Sequence, residues 1–132
     1  MKRLITLSFF MLTILFLFNG CSGNVNNSIM FKNAAAGNIY VNFRGNLVKI
    51  SSGNLVQIKN IPQGKYQYVT TYDIPIGVTG SSVSGDVNGT VTINAGTKIL
   101  VFYSSYISGG IYTLTATKSN NDNQTKNNPV IF

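Results

Sequence analysis

The sequence predicts an all-β protein, an antiparallel β-sandwich of about seven to eight strands, with a small closed β-barrel as the alternative architecture. Three observations carry that expectation. Downstream of Ser28, short apolar or alternating runs are punctuated by Gly, Asn and Pro about every eight to twelve residues. No segment repeats its apolar residues with a helical period of 3.6. Removing an N-terminal segment of 20 residues from the 132 leaves enough chain for one such domain and too little for two.

In chain order, the strands are expected near Ile29 to Asn33, Asn38 to Arg44, Leu47 to Ser51, Asn54 to Asn60, Lys65 to Ile74, Val87 to Ile93, Thr97 to Ser105 and Ile111 to Lys118. The clearest hairpin is "NFRGNLV", where Gly45-Asn46 offers two residues that tolerate positive φ between alternating runs. "SSGN" and "NAGTK" mark two further tight connections. "TKILVFYSS" is apolar at consecutive positions from Ile99 to Tyr103, as expected of a central strand buried on both faces. "KYQYVTTYD" instead puts Tyr66, Tyr68, Thr70 and Tyr72 on one face and polar residues with Val69 on the other, the pattern of a half-exposed strand.

The first 20 residues are of another kind. Lys2 and Arg3 precede a largely apolar run from Leu4 to Phe18, too short for the ~20 residues that cross a bilayer as a helix and in keeping with a secretory signal. The run ends at "NGCSGNVNN", which contains the chain's one cysteine. A lone cysteine in an exported chain has no disulfide partner, and this polar stretch has almost nothing apolar to bury it against. It is therefore read as a chemical handle.

Phe18-Asn19-Gly20-Cys21 resembles the lipobox of bacterial lipoproteins: Gly20 and Cys21 fit its end, while Phe18 and Asn19 differ from the usual leucine and small residue. The resemblance implies a diacylglycerol on the Cys21 thiol, cleavage between Gly20 and Cys21, and a lipid anchor on a bacterial membrane, on its periplasmic face or at the cell surface. "NIPQGKYQY", Asn60 to Tyr68, resembles the Pro-x-Gly-x-Tyr turn-and-strand element of bacterial Ig-like and transthyretin-like sandwich modules. That similarity implies a fold class and transfers no function. The organisation expected is a signal peptide over 1–20, a tether over 21–28, a sandwich over 29–118 and a tail over 119–132. The tail is polar from Lys118 to Pro129 and ends in the apolar Val130-Ile131-Phe132, which either dock on the domain or bind a partner.

Composition narrows the function classes. The chain has no His, Glu or Trp, and its single Cys is assigned to lipid. No Ser-His-Asp or Cys-His pair can be assembled and no zinc site of the usual ligands is possible; composition leaves a serine-lysine dyad open but no spacing singles one out, and neither catalysis, a metal nor a cofactor is expected. The segment after Gly20 carries eight cations, Lys32, Arg44, Lys49, Lys59, Lys65, Lys98, Lys118 and Lys126, against Asp73, Asp86 and Asp122, a formal +5. Along the sequence these charges are scattered, whereas nucleic-acid binding needs them gathered on one face. Loose attraction to anionic lipid or glycan surfaces is the more modest inference.

Two places invite a binding role. Tyr66, Tyr68 and Tyr72 could stack sugar rings, although such a stripe is more often core. The segment Asp73 to Gly89 is long for a sandwich connection, and long loops in compact domains tend to carry function. "SGDVNGT" within it resembles calcium-loop spacing only faintly and is read as an Asx-type turn. The function expected is a membrane-anchored envelope lipoprotein whose β-sandwich serves as an interaction or adhesion module. The alternatives are a structural accessory to an envelope assembly and a glycan or small-molecule binding module. The partners expected are the membrane, through the lipid, and an envelope protein or glycan.

Overall fold

A computed structural model describes residues 26–120. Gly20, Cys21, the signal segment and the apolar end Val130 to Phe132 lie outside the described residues. Nine strands follow in order: β1 (Ser28–Asn33), β2 (Ile39–Phe43), β3 (Asn46–Ile50), β4 (Leu55–Lys59), β5 (Gly64–Tyr72), β6 (Gly80–Gly85), β7 (Gly89–Ile93), β8 (Lys98–Ser108) and β9 (Ile111–Asn120). They form two sheets, one of five strands ordered β4-β1-β8-β9-β6 and one of four ordered β3-β2-β5-β7. Both sheets are open, so the closed barrel is set aside.

The expectation of about seven to eight antiparallel strands is corrected twice. The five-stranded sheet is mixed, since β1 runs parallel to β8 and β6 parallel to β9. The ninth strand is β6, "GSSVSG", inside the segment expected to be a loop. Its only apolar residue is Val83, so no alternation announces it. What holds it is the ladder to β9 and the Ser82–Thr113 hydroxyl pair at 2.8 Å.

Alternation does place the core. Ile29 and Phe31 of β1, Ile39, Val41 and Phe43 of β2, and Ile99, Val101 and Tyr103 of β8 all point between the sheets and are buried. Phe31 meets Phe43 and Tyr68 edge-on across the gap, with ring centres 6.1 and 5.9 Å apart, so the two sheets share one core. Tyr72 and Tyr112 close it further along, 5.8 Å apart. β8 is central, as expected, but only one of its faces is fully buried. Leu100 and Phe102 on its outer face are half-buried, because no layer covers that side.

The core also contains polar groups, each with a partner. Asn33 donates to the carbonyls of Gly37 and Ile50 and accepts from the Ala35 N–H, fixing the β1–β2 and β3–β4 connections together. At the other end Asn27 clamps Ile61 through both its amide atoms, at 2.6 and 2.7 Å. Among the described residues no buried side-chain nitrogen or oxygen lacks a hydrogen bond.

The β2–β3 hairpin is displaced by one residue from expectation. Arg44 and Gly45 form the turn, with φ of +54° and +77°, and Asn46 already belongs to β3. An arginine thus occupies a left-handed position that asparagine or glycine fills with less strain. β9 continues to Asn120, two residues past the end expected at Lys118.

Candidate functional site

Strand register gives the domain two unlike ends. Ser28 of β1 lies opposite Lys59 of β4 and Lys98 of β8, so the chain enters the domain beside the end of β4 and the beginning of β8. We refer to this end as the base. At the opposite end, the crown, β8 and β9 run beyond β1 and turn at Gly109-Gly110. The β1–β2, β3–β4 and β5–β6 connections lie at the crown as well.

The crown is built from the first part of the segment that the sequence singles out. Asp73 starts it: its N–H donates to the Asn38 carbonyl, and its carboxylate accepts from Asn38 Nδ2 at 2.8 Å and from the Tyr40 hydroxyl at 3.3 Å. Thr79 ends it, donating from its N–H and its hydroxyl to the Gly110 carbonyl, which ties the loop to the β8–β9 tip. Between these two anchors, Ile74 and Ile76 point outward, Ile76 with its whole side chain in water and Ile74 half exposed. On the tip Tyr106, Ile107 and Ile111 are exposed too, and Ile111 lies directly over Gly80, where no side chain competes for the space.

Five large apolar side chains gathered at one end are more than the single exposed residues of an ordinary surface. The four crown connections, residues 34–38, 51–54, 73–79 and 109–110, contain no lysine or arginine and one acid, Asp73. Chemically this end offers apolar contact and backbone hydrogen bonds.

The tyrosine stripe goes elsewhere. Tyr66, Tyr68 and Tyr72 face the interior, and Tyr68 is 1% exposed, with its hydroxyl donating to the Asp86 carbonyl at 2.7 Å. Its ring therefore has no face left for a sugar, because the inward face of β5 is closed by the other sheet. Burial, helped by the negative charge of Asp86, pushes the Tyr68 phenol up to about 12. Tyr103 is raised in the same direction by burial, against the lowering effect of its hydrogen bond to Thr70. Tyr66 keeps a half-exposed edge: its hydroxyl donates to the Pro62 carbonyl, and the Arg44 guanidinium stands 5.6 Å from its ring centre.

Asp86 and Asn88 of "SGDVNGT" are occupied structurally. The Asp86 carboxylate accepts from the Lys118 N–H, and the Asn88 side chain accepts from the Thr70 N–H. No three His, Cys, Asp or Glu side chains among the described residues gather to hold a metal.

Fold and surface together define an all-β, sandwich-like domain with an apolar crown opposite the end where the chain enters. Comparison with protein-family models and with curated protein sequences found no match.

Proposed function

We propose that the protein is a non-enzymatic envelope lipoprotein, anchored through Cys21, whose Ig-like sandwich presents the crown to a protein partner. The observation that carries this reading is the placement of Asn26 and the crown at opposite ends of the same sheet. A lipid on Cys21, five residues before Asn26, would hold the base at the bilayer and point Ile74, Ile76, Ile107 and Ile111 away from it. The eleven residues of β8 span roughly 35 Å at about 3.3 Å each, which sets the reach of the domain from the surface. The Ig-like assignment is supported by the two facing sheets and by the Asn60 to Tyr68 turn, which delivers Tyr66 and Tyr68 inward.

Two measurements test the reading. Metabolic labelling with a fatty acid should mark the wild-type chain and not Cys21→Ser, and an unlabelled wild type overturns the anchor. Cross-linking in intact cells should yield an adduct that Ile76→Asp with Ile107→Asp abolishes while the thermal melt stays unchanged. An adduct indifferent to both substitutions removes the crown from the function.

A further inference from the structure

The cations that are scattered in sequence are gathered by the fold. Lys59 and Lys98 flank Ser28 in one cross-strand row on the outer face of the five-stranded sheet. Lys65 opens β5 at the same end, one residue after its start. Arg44 sits at the β2–β3 turn, which points the same way because Phe43 pairs with Tyr68 and Ile39 with Tyr72. Lys118 lies two residues before the end of β9. Five of the seven described cations thus occupy the basal half, against the single carboxylate of Asp86. Lys32, Lys49 and Asp73 are the remaining described charges.

Two concavities carry this charge. One, of about 610 Å³, is lined by Arg44 and Lys65 with Asn42, Tyr66 and Gln67. The other, of about 320 Å³, is lined by Lys59 and Lys98 with Asn27, Ser28, Gln57 and Asn60. Each therefore pairs two cations with amide donors, a chemistry suited to phosphate oxygens. The second opens where the chain leads back to Cys21, beside Asn27 and Ser28, while the first lies on the four-stranded sheet beside the β2–β3 turn. Five residues of fully extended chain reach at most about 17 Å, so a lipid on Cys21 holds Asn26, beside the row of Lys59 and Lys98, within about two Debye lengths of ~8–10 Å of the bilayer surface.

We infer that the base is a second membrane contact, a cationic face that docks on anionic phospholipid headgroups. The inference rests on the Cys21 anchor for its place in the cell, though the base keeps its affinity without the lipid. Two acyl chains on Cys21 hold the chain at the membrane by themselves, so the basal patch adds orientation rather than attachment. With the base on the headgroups, the crown is held upright. Arg44 fits this role, because the turn retains a cation there at a backbone angle that asparagine or glycine adopts more easily.

The test uses the chain from residue 21 onward carrying Cys21→Ser, which has no lipid of its own, sedimented with vesicles of phosphatidylcholine alone or with 30% phosphatidylglycerol (about one headgroup in three, enough to give a negative surface). Binding should appear only with phosphatidylglycerol and vanish in 0.5 M salt, where the Debye length drops to roughly 4 Å. Each basal lysine contributes about fivefold, so Lys59→Gln, Lys65→Gln and Lys98→Gln together should weaken binding about a hundredfold. Lys32→Gln with Lys49→Gln should change it less than Lys59→Gln with Lys98→Gln does, and all variants should melt as the parent does. Equal binding to both vesicles, or equal loss from the two sets, overturns the inference. So does binding of a soluble sulfated glycan through the same lysines when vesicles are ignored. Fatty-acid labelling separates the two ideas: an unlabelled Cys21 with phosphatidylglycerol binding intact removes the anchor and leaves the basal face.

Discussion

The Thr70 side-chain oxygen and the Tyr103 hydroxyl meet at 2.7 Å in the buried space between the sheets, one from β5 and the other from β8. Each is the other's partner, so removing one strands a polar group away from water. Tyr103→Phe or Thr70→Val alone should cost about 1–3 kcal/mol, and the double substitution should cost less than their sum by at least ~0.5 kcal/mol. Urea unfolding of the four proteins measures this, and strict additivity would show that the pair is not coupled.

Alkaline pH should unfold the domain through its buried phenols. The fold holds Tyr68 neutral, with a pKa of about 12 against 10 for an ordinary tyrosine, and Tyr103 is shifted the same way. Because the unfolded chain releases these protons more readily, the stabilisation is intact below pH 10 and is lost as pH rises through about 12. Melting temperature should fall over that window, with less slope in Tyr68→Phe, and the phenolate absorbance of Tyr68 and Tyr103 should develop in step with unfolding. Titration of all the tyrosines while the sheet signal is intact would count against the buried assignment.

Gly85→Ala tests the parallel β6–β9 edge. Gly85 has φ +72°, and a β-carbon there would strike the Ala116 carbonyl. The substitution should cost more than about 2 kcal/mol, combining left-handed strain with a backbone clash. Gly53→Ala is the control, since Gly53 also has positive φ but open space around it, and it should cost only ~1 kcal/mol. Chemical denaturation of the two variants ranks them.

Arg44→Asn should raise stability by about 0.5–1 kcal/mol, because Asn-Gly suits the two positive-φ positions of this turn better than Arg-Gly. The same change removes the cation stacked on Tyr66, so a gain in melting temperature is expected alongside weaker binding to anionic vesicles. A loss of stability would mean that the stacking outweighs the strain.

Eight strands were legible because their apolar residues alternate or run together, as Ile39, Val41 and Phe43 do. β6 was not, since Gly, Ser and a single Val give neither alternation nor intrinsic strand preference, and only its pairing with β9 makes it a strand. The hairpin slipped by one because residue type marks Gly45 as permissive but nothing marks Arg44. The parallel pairing of β1 with β8 joins residues 70 positions apart, such as Ser28 and Lys98, and no local pattern encodes it. For the same reason the basal charge was invisible: Arg44, Lys59, Lys65 and Lys98 become neighbours of one end only through the topology. The segment from Asp73 to Gly89 was legible as a candidate site by its length, whereas Tyr106 and Ile107 fell beyond the strand end expected at Ser105 and drew no attention until β8 proved to run on to Ser108.

The parallel β1–β8 pair has a mechanical consequence. Tension applied between Asn26 and the β8–β9 tip pulls β1 from the base and β8 from the crown, so the two strands are drawn past one another along their length. In that geometry the ladder bonds from Ser28–Lys98 to Asn33–Tyr103 share the load and must break together, whereas a pair peeled from one end gives way one bond at a time. A domain strained along this axis therefore resists rupture best in the direction from which a partner at its far end would tug.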